Sequence, residues 1–357
     1  MSRYLKILGL AVIGYVLFGA AQLREQSSSL QDSLGYFTNP IGKGADPWVT
    51  KVGGFYYSSF SGTGKNSKNF ITVTKSKLLS KLGERKTVWV APQEGWNSNC
   101  IWAPEIHHLN GKWYIYYTAG KSGPPYIFQR SGVLESVTGN AQGEYIDKGV
   151  LKTGDDENDY CKTIWAIDLT VTEIEGQLYA IWSGWEENKK TDKTGQHLYI
   201  AKMTNPYTIS SERIKISSPV EAWETGGPLN LNEGPQVLKH ERNVFVIYST
   251  RESWLKEYRL GQLRLKPGSD PLKVENWIKK GPVFEGTSEV LGVGHASFTK
   301  SPDDKEDWIF YHSKISVKPG WERNLRLQKF SWDARGNPIF GEPVAAGVLM
   351  KKPSGER

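Results

Sequence analysis

The stretch Asn232-Glu233-Gly234-Pro235-Gln236-Val237-Leu238, followed after a polar turn by Asn243-Val244-Phe245-Val246-Ile247-Tyr248-Ser249, decides the fold. Both runs are rich in β-branched and aromatic residues, and the polar residues 239–242 between them read as the turn of a β-hairpin. A carboxylate, Glu233, stands at the head of the first strand. The layout recurs four more times. Asp46-Pro47-Trp48-Val49 leads through Gly53-Gly54 to Phe55-Tyr56-Tyr57-Ser58, and Glu105-Ile106-His107-His108-Leu109 through Asn110-Gly111 to Trp113-Tyr114-Ile115-Tyr116-Tyr117-Thr118. Asp168-Leu169-Thr170-Val171 leads through Glu175-Gly176 to Leu178-Tyr179-Ala180-Ile181-Trp182-Ser183. His295-Ala296-Ser297-Phe298 leads through Pro302-Asp303-Asp304 to Trp308-Ile309-Phe310-Tyr311-His312-Ser313.

From head to head, Asp46 through Glu105, Asp168 and Glu233 to His295, the steps are 59, 63, 65 and 62 residues. A hairpin repeat of near-constant period offers small sheets that cannot bury both faces alone, so neighbours must stack about an axis. The spacing therefore predicts an all-β fold, a five-bladed β-propeller spanning residues 39–353 as one domain. The 357 residues would otherwise suggest two domains. The five heads then converge at one end of the axis. Phe70-Ile71-Thr72-Val73-Thr74 and Val88-Trp89-Val90 supply outer strands of the first blade, Tyr126-Ile127-Phe128-Gln129 of the second and His197-Leu198-Tyr199-Ile200-Ala201-Lys202 of the third. Leu260 to Leu265 and Leu325 to Phe330 do so in the fourth and fifth. After residue 24 the only helical possibility is a short one at residues 76–82. An aromatic share of 12% suits a β-rich core with packing between blades, and also a sugar-binding cleft.

Arg3 and Lys6 precede an uncharged apolar run over residues 7–21, with small residues Gly19-Ala20-Ala21 at its end. This reads as a signal peptide or an uncleaved membrane anchor over residues 1–21. A polar linker follows over residues 22–38. The product is expected to be secreted, or membrane-attached only through that anchor. The net charge of +7 is scattered, with no basic stripe or nucleic-acid motif, so no nucleic-acid partner is expected. Cys100 and Cys161 each lie shortly before a head and would pair in an exported chain, or remain two thiols. Asp155-Asp156-Glu157-Asn158-Asp159 lacks the EF-hand pattern and reads as a solvated acidic turn.

Carboxylates gathered at strand heads repel one another and are costly to desolvate, so three in register imply chemistry. Here Gly44-Ala45-Asp46-Pro47, Trp102-Ala103-Pro104-Glu105-Ile106, Ile167-Asp168 and Asn232-Glu233-Gly234-Pro235 resemble glycoside hydrolase family 43, a family of five-bladed β-propellers. The resemblance runs from about Asn39 to Leu349. It implies an inverting glycosidase, with Asp46 as general base, Glu233 as general acid, and Asp168 as the carboxylate that orients Glu233 and raises its pKa. Glu105 shares a head but matches no catalytic acid of the family, and reads as structural.

The resemblance further implies substrate contacts from Trp102, Arg326 and His295, with Arg323 as the alternative arginine. It also implies a calcium ion near His295, held through waters, and no other cofactor. The alternation of Leu325-Arg326-Leu327 points Arg326 away from the core. The implied activity is release of L-arabinofuranose from plant arabinan or arabinoxylan by a monomeric α-L-arabinofuranosidase. A β-xylosidase, an endo-arabinanase and a non-catalytic carbohydrate-binding propeller are the alternatives.

Overall fold

A computed structural model describes residues 34–64, 68–153 and 163–356. The leader at residues 1–21, most of the linker, the acidic loop at 155–159 and Cys161 lie outside the described residues. Among the described residues no helix is long and apolar enough to cross a membrane.

Two short strands, β1 (Tyr36–Thr38) and β2 (Gly42–Lys43), precede the blades. Blade 1 is β3 (Thr50–Val52), β4 (Phe55–Thr63), β5 (Asn69–Ser76) and β6 (Glu84–Val90). Blade 2 is β7 (Asn99–Leu109), β8 (Lys112–Gly120), β9 (Arg130–Ser136) and β10 (Tyr145–Val150). Blade 3 is β11 (Ala166–Ile174), β12 (Gln177–Gly184) and β13 (His197–Asn205), with β14 (Thr208–Ile209) and β15 (Ile214–Ser217) both on β13. Blade 4 is β16 (Asn232–His240), β17 (Asn243–Thr250), β18 (Arg259–Leu265) and β19 (Trp277–Glu285). Blade 5 is β20 (Leu291–Lys300), β21 (Asp307–Lys314) and β22 (Arg323–Trp332), with β23 (Pro338–Ile339) on β22. A last strand, β24 (Leu349–Lys351), pairs with β1.

Blade 5 takes its remaining strand from the other end of the chain. β2 pairs with β22 through Gly42↔Leu325 and Lys43↔Asn324. The β1–β24 pair clamps the same seam. Ring closure therefore begins at Tyr36, inside the stretch read as linker. It also sets Asp46, just beyond β2, next to the start of β22.

The alternation along each strand sorts side chains between two neighbours rather than between core and water. Ile115 and Tyr117 of β8 pack with Ile71 and Val73 of blade 1, while Tyr114 and Tyr116 pack with Leu169 and Val171 of blade 3. Phe245 and Ile247 of β17 face Ile309 and Tyr311 of blade 5, while Val246 and Tyr248 face Ile181 and Ile200 of blade 3. Trp308 and Phe310 of β21 close the ring against Val49 and Tyr56 of blade 1. Each seam is a buried apolar layer, and cutting fully buried Ile115 back to Ala would cost about 2–5 kcal/mol.

Two local expectations change. The third strand of blade 2 is β9, not Tyr126–Gln129. That aromatic run is a loop: Ile127 packs on the Trp165–Trp185 pair, and the Tyr126 carbonyl accepts from Trp165 Nε1 at 2.8 Å. Its apolar content serves a neighbouring loop, not a ladder. Residues 76–82 form no helix. They turn under the Glu356 carboxylate, which accepts from the backbone of Leu79 and Ser80.

Candidate active site

Four of the five inner strands are irregular at the head. The register breaks between Trp102 and Glu105, between Ile167 and Thr170, between Glu233 and Gln236, and between Gly294 and Ser297. At each break one residue takes a positive φ: Ala103 (41°), Asp168 (53°), Gly234 (54°) and His295 (45°). Asp46, ahead of β3, has φ 49°. Such bulges re-aim side chains, here toward the axis, and the strain of a non-glycine residue in this region marks a functional site. Gly234 has a second reason to be glycine, because a Cβ there would lie 3.1 Å from the His295 ring.

The three predicted carboxylates come together. Asp46 Oδ1 lies 3.1 Å from Arg323 Nη1, 3.4 Å from His295 Nδ1 and 3.3 Å from His312 Nδ1. Burial alone would raise its pKa, but Arg323, then His295, more than offset this and hold Asp46 well below the usual carboxylate range. Its side chain keeps 23% exposure, so the ionised group is open to a ligand. Glu233 is buried, and its Oε1 accepts from the Tyr258 hydroxyl at 2.9 Å. Burial raises its pKa. The Tyr258 hydrogen bond and Arg323 pull it down, but Asp46 and Glu252 push it up, and the net shift is upward. Asp168 is also raised, first by burial, with Glu233 and Asp46 adding and His295 opposing. Asp168 Oδ2 accepts from the Gly234 backbone N–H at 3.0 Å, so it grips the residue after Glu233. One cluster thus holds an ionised carboxylate beside two whose pKa values are raised to about 7.

A repeat in the second strands fixes these heads. In each blade a fully buried polar side chain of that strand, near its end in all but the first blade, bonds the next blade's head backbone. Ser59 Oγ donates to Pro104 O at 2.5 Å, Thr118 Oγ1 accepts from Asp168 N at 3.1 Å, and Ser183 Oγ donates to Asn232 O at 2.8 Å. Ser249 Oγ accepts from His295 N at 2.8 Å. At the seam between blades 5 and 1 the role passes to His312, whose Nδ1 accepts from Asp46 N at 3.1 Å. Burial, then Arg323, lowers the His312 pKa to about 3, so the ring is neutral and its Nδ1 is free to accept. The His312 ring lies against Tyr258, centroids 5.5 Å apart and planes 13° apart. Gly294 makes room for Tyr258, since a Cβ there would meet the ring at 2.3 Å. A stack of two rings therefore links the Asp46 backbone to the Glu233 carboxyl.

Sequence reading missed Tyr258 and His312. The signal for His312 was present: the second strands read Tyr117-Thr118, Trp182-Ser183 and Tyr248-Ser249, and blade 5 has His312-Ser313. No comparable signal marks Tyr258, which lies in a connection. Arg326 is not brought to the carboxylates. It is 4% exposed, with Nε donating to Ser313 Oγ at 2.7 Å and Nη1 to Val344 O at 2.8 Å. Its alternation was read as turning it from the core, but a blade has no solvent face, so it turns toward a neighbouring layer. Arg323, three residues earlier at the start of β22, is the arginine on Asp46. Trp102 is half-buried, edge-on to Tyr126 at 5.1 Å, beside the Trp165–Trp185 pair.

Glu105 lies two residues past the bulge of its strand, one layer deeper than the heads. Its Oε1 accepts from Gln236 Nε2, and its Oε2 pairs with His107 Nε2 at 2.9 Å. Both oxygens are thus taken, and no three His, Cys, Asp or Glu side chains among the described residues are grouped to hold a metal. His295 Nδ1 is turned to Asp46. This donor set does not fit a directly ligated calcium ion.

A family model described as "Glycosyl hydrolases family 43" matches residues 37–338. The chain is 37% identical, over 87% of its length, to the "Extracellular exo-alpha-(1->5)-L-arabinofuranosidase" of Streptomyces avermitilis, and spans 64% of that protein. It is 30% identical over 92% of its length to "Alpha-L-arabinofuranosidase B" of Pyricularia oryzae, of which it covers 67%. The crystal structure of an α-L-arabinofuranosidase from Lactobacillus brevis superposes with a TM-score of 0.77 at 28% identity, covering 87% of this chain and 98% of that one.

Proposed function

The chain belongs to glycosyl hydrolases family 43, and on that premise we propose that it is an α-L-arabinofuranosidase releasing terminal L-arabinofuranose from plant arabinan or arabinoxylan with inversion. The observation that carries the reaction type is the opposite polarisation of Asp46 and Glu233 in one pocket. Environments that push two carboxyls apart in pKa assign the base and the acid. Asp46, kept ionised by Arg323, takes a proton from a water as its oxygen bonds to the anomeric carbon. Glu233, whose pKa burial raises to about 7, gives its proton to the glycosidic oxygen as the bond from that oxygen to the anomeric carbon breaks. Asp168 holds Gly234 and so positions Glu233. Asp46 and Glu233 belong to non-adjacent blades, which suits the roughly 6.5–9.5 Å that inverting enzymes need between carboxyls for water and sugar together.

The choice of sugar rests on the relatives named arabinofuranosidases, and secretion on the word "Extracellular" in the name of the Streptomyces protein. The test is a panel of 4-nitrophenyl arabinofuranoside, 4-nitrophenyl xyloside, arabinan and arabinoxylan with products resolved by chromatography, and NMR of the first-formed anomer. Arabinose alone, as the inverted anomer, is expected. Xylose release, internal cleavage of arabinan or a retained anomer would overturn the reading.

A further inference from the structure

We propose that Trp254 and Trp321 form a sugar-stacking subsite on the rim of the pocket, which takes the saccharide units on the leaving-group side of the scissile bond. This rests on the arabinofuranosidase reading. Trp321 is 59% exposed, and its ring centroid lies 5.0 Å from that of half-buried Trp254, with the planes 53° apart. Ile315 and Val317, in the same connection as Trp321, are 49% and 66% exposed.

Both indoles stand at the catalytic end. Trp254 lies in the connection from β17 to β18, and Trp321 in that from β21 to β22. β17 and β21 run toward the heads, as the pairs Glu233↔Ser249 and Leu291↔Lys314 require. The two connections are also tied together. Gly320 N donates to Trp254 O at 3.0 Å, and buried Lys314 donates to Gly320 O at 2.7 Å. The Arg323 guanidinium lies 5.6 Å over the Trp321 ring while its Nη1 holds Asp46. An exposed indole is a costly surface for water to wet, and a pre-set one is a low-entropy platform for the apolar C–H face of a sugar.

The occupant follows from the acid. Glu233 protonates the leaving oxygen, so the next sugar must pass the connection that holds Glu233. That connection carries Tyr258, which bonds Glu233, and Trp254 four residues before it. In an enzyme that takes a terminal sugar, whatever emerges over the rim is the leaving part of the chain.

The experiment compares kcat/KM on α-1,5-arabinotriose with that on 4-nitrophenyl arabinofuranoside, which carries no second sugar, for wild type, Trp321→Ala, Trp321→Phe and Trp254→Ala. Trp321→Ala should lower the arabinotriose-to-aryl ratio about tenfold, equivalent to about 1.4 kcal/mol, with Trp321→Phe recovering most of it, as expected for a stacking contact. In an Asp46→Asn background, arabinotriose should quench tryptophan fluorescence, with Kd about tenfold weaker after Trp321→Ala. An unchanged ratio, or an equal loss on both substrates, would overturn the subsite while leaving the activity standing. A wild type inactive on both arabinofuranosides would instead overturn the activity, and the subsite with it.

Discussion

Glu233 and Glu105 are both buried glutamates on inner strands of the same ring, at 8% and 2% exposure, yet they have different surroundings. Glu233 has one fixed donor, the Tyr258 hydroxyl, and an ionised neighbour, Asp46, that opposes its charge. Glu105 is closed on both oxygens. Burial, against hydrogen bonds from Thr170 and Gln236, pushes its pKa up to about 8, and burial drops His107 to about 3. The close pair is therefore neutral at pH 7: the Glu105 hydroxyl donates to His107 Nε2, and its other oxygen accepts from Gln236. A raised pKa is common to both, and what separates the proposed acid from the closed glutamate is an open oxygen and an ionised partner.

The comparison is broken most forcefully at the heads. Glu233→Gln should cut kcat on arabinan oligosaccharides by about 10²–10⁴-fold, while 4-nitrophenyl arabinofuranoside, whose leaving group needs no proton, loses far less. Asp46→Asn should fall by at least as much on both substrates, because neither can replace an activated water. Steady-state kinetics on the two substrates decide it, and equal losses for Glu233→Gln would remove Glu233 from the acid role.

A smaller effect is expected from Tyr258→Phe. The hydroxyl donates to the Glu233 carboxylate and favours its charged form, so removal raises the Glu233 pKa further. The acid then stays protonated to higher pH, and the alkaline limb of kcat/KM should move upward while kcat drops about tenfold from lost positioning. A limb that stays in place, or moves down, would show that Tyr258 does not act through Glu233.

The smallest effect belongs to the deeper layer. Glu105→Gln keeps a donor for His107 and an acceptor for Gln236, so kcat should stay within about threefold and stability within about 1 kcal/mol of wild type. Thermal unfolding and kinetics of this variant, set beside Glu233→Gln, sharpen the contrast. A loss of activity comparable to that of Glu233→Gln would make Glu105 part of the chemistry.

Much of the architecture was legible in the chain. Alternation within Trp113–Thr118 or Asn243–Ser249 specifies a strand with two buried faces, and a head spacing near sixty residues specifies five such units around an axis. Asp46, Asp168 and Glu233 were legible as heads because a carboxylate before a buried strand violates the local pattern. The third strand of blade 2 was misplaced, because Tyr126–Gln129 has strand composition but packs on Trp165 and Trp185 from a loop.

What the sequence determined by itself is the repeat: the local propensity for hairpins, and the polar exceptions at their heads. Tertiary structure alone decided which exceptions work. Arg323 reaches Asp46 only because β2 closes blade 5 on β22, a pairing of residues about 280 apart. Tyr258 reaches Glu233 only because Gly294 leaves room for its ring. Glu105 falls one layer below the heads because its strand bulges at Ala103, two residues earlier. A sequence states which groups are present. Whether each is charged depends on the dielectric and the partners around it, and these exist only once the ring has closed.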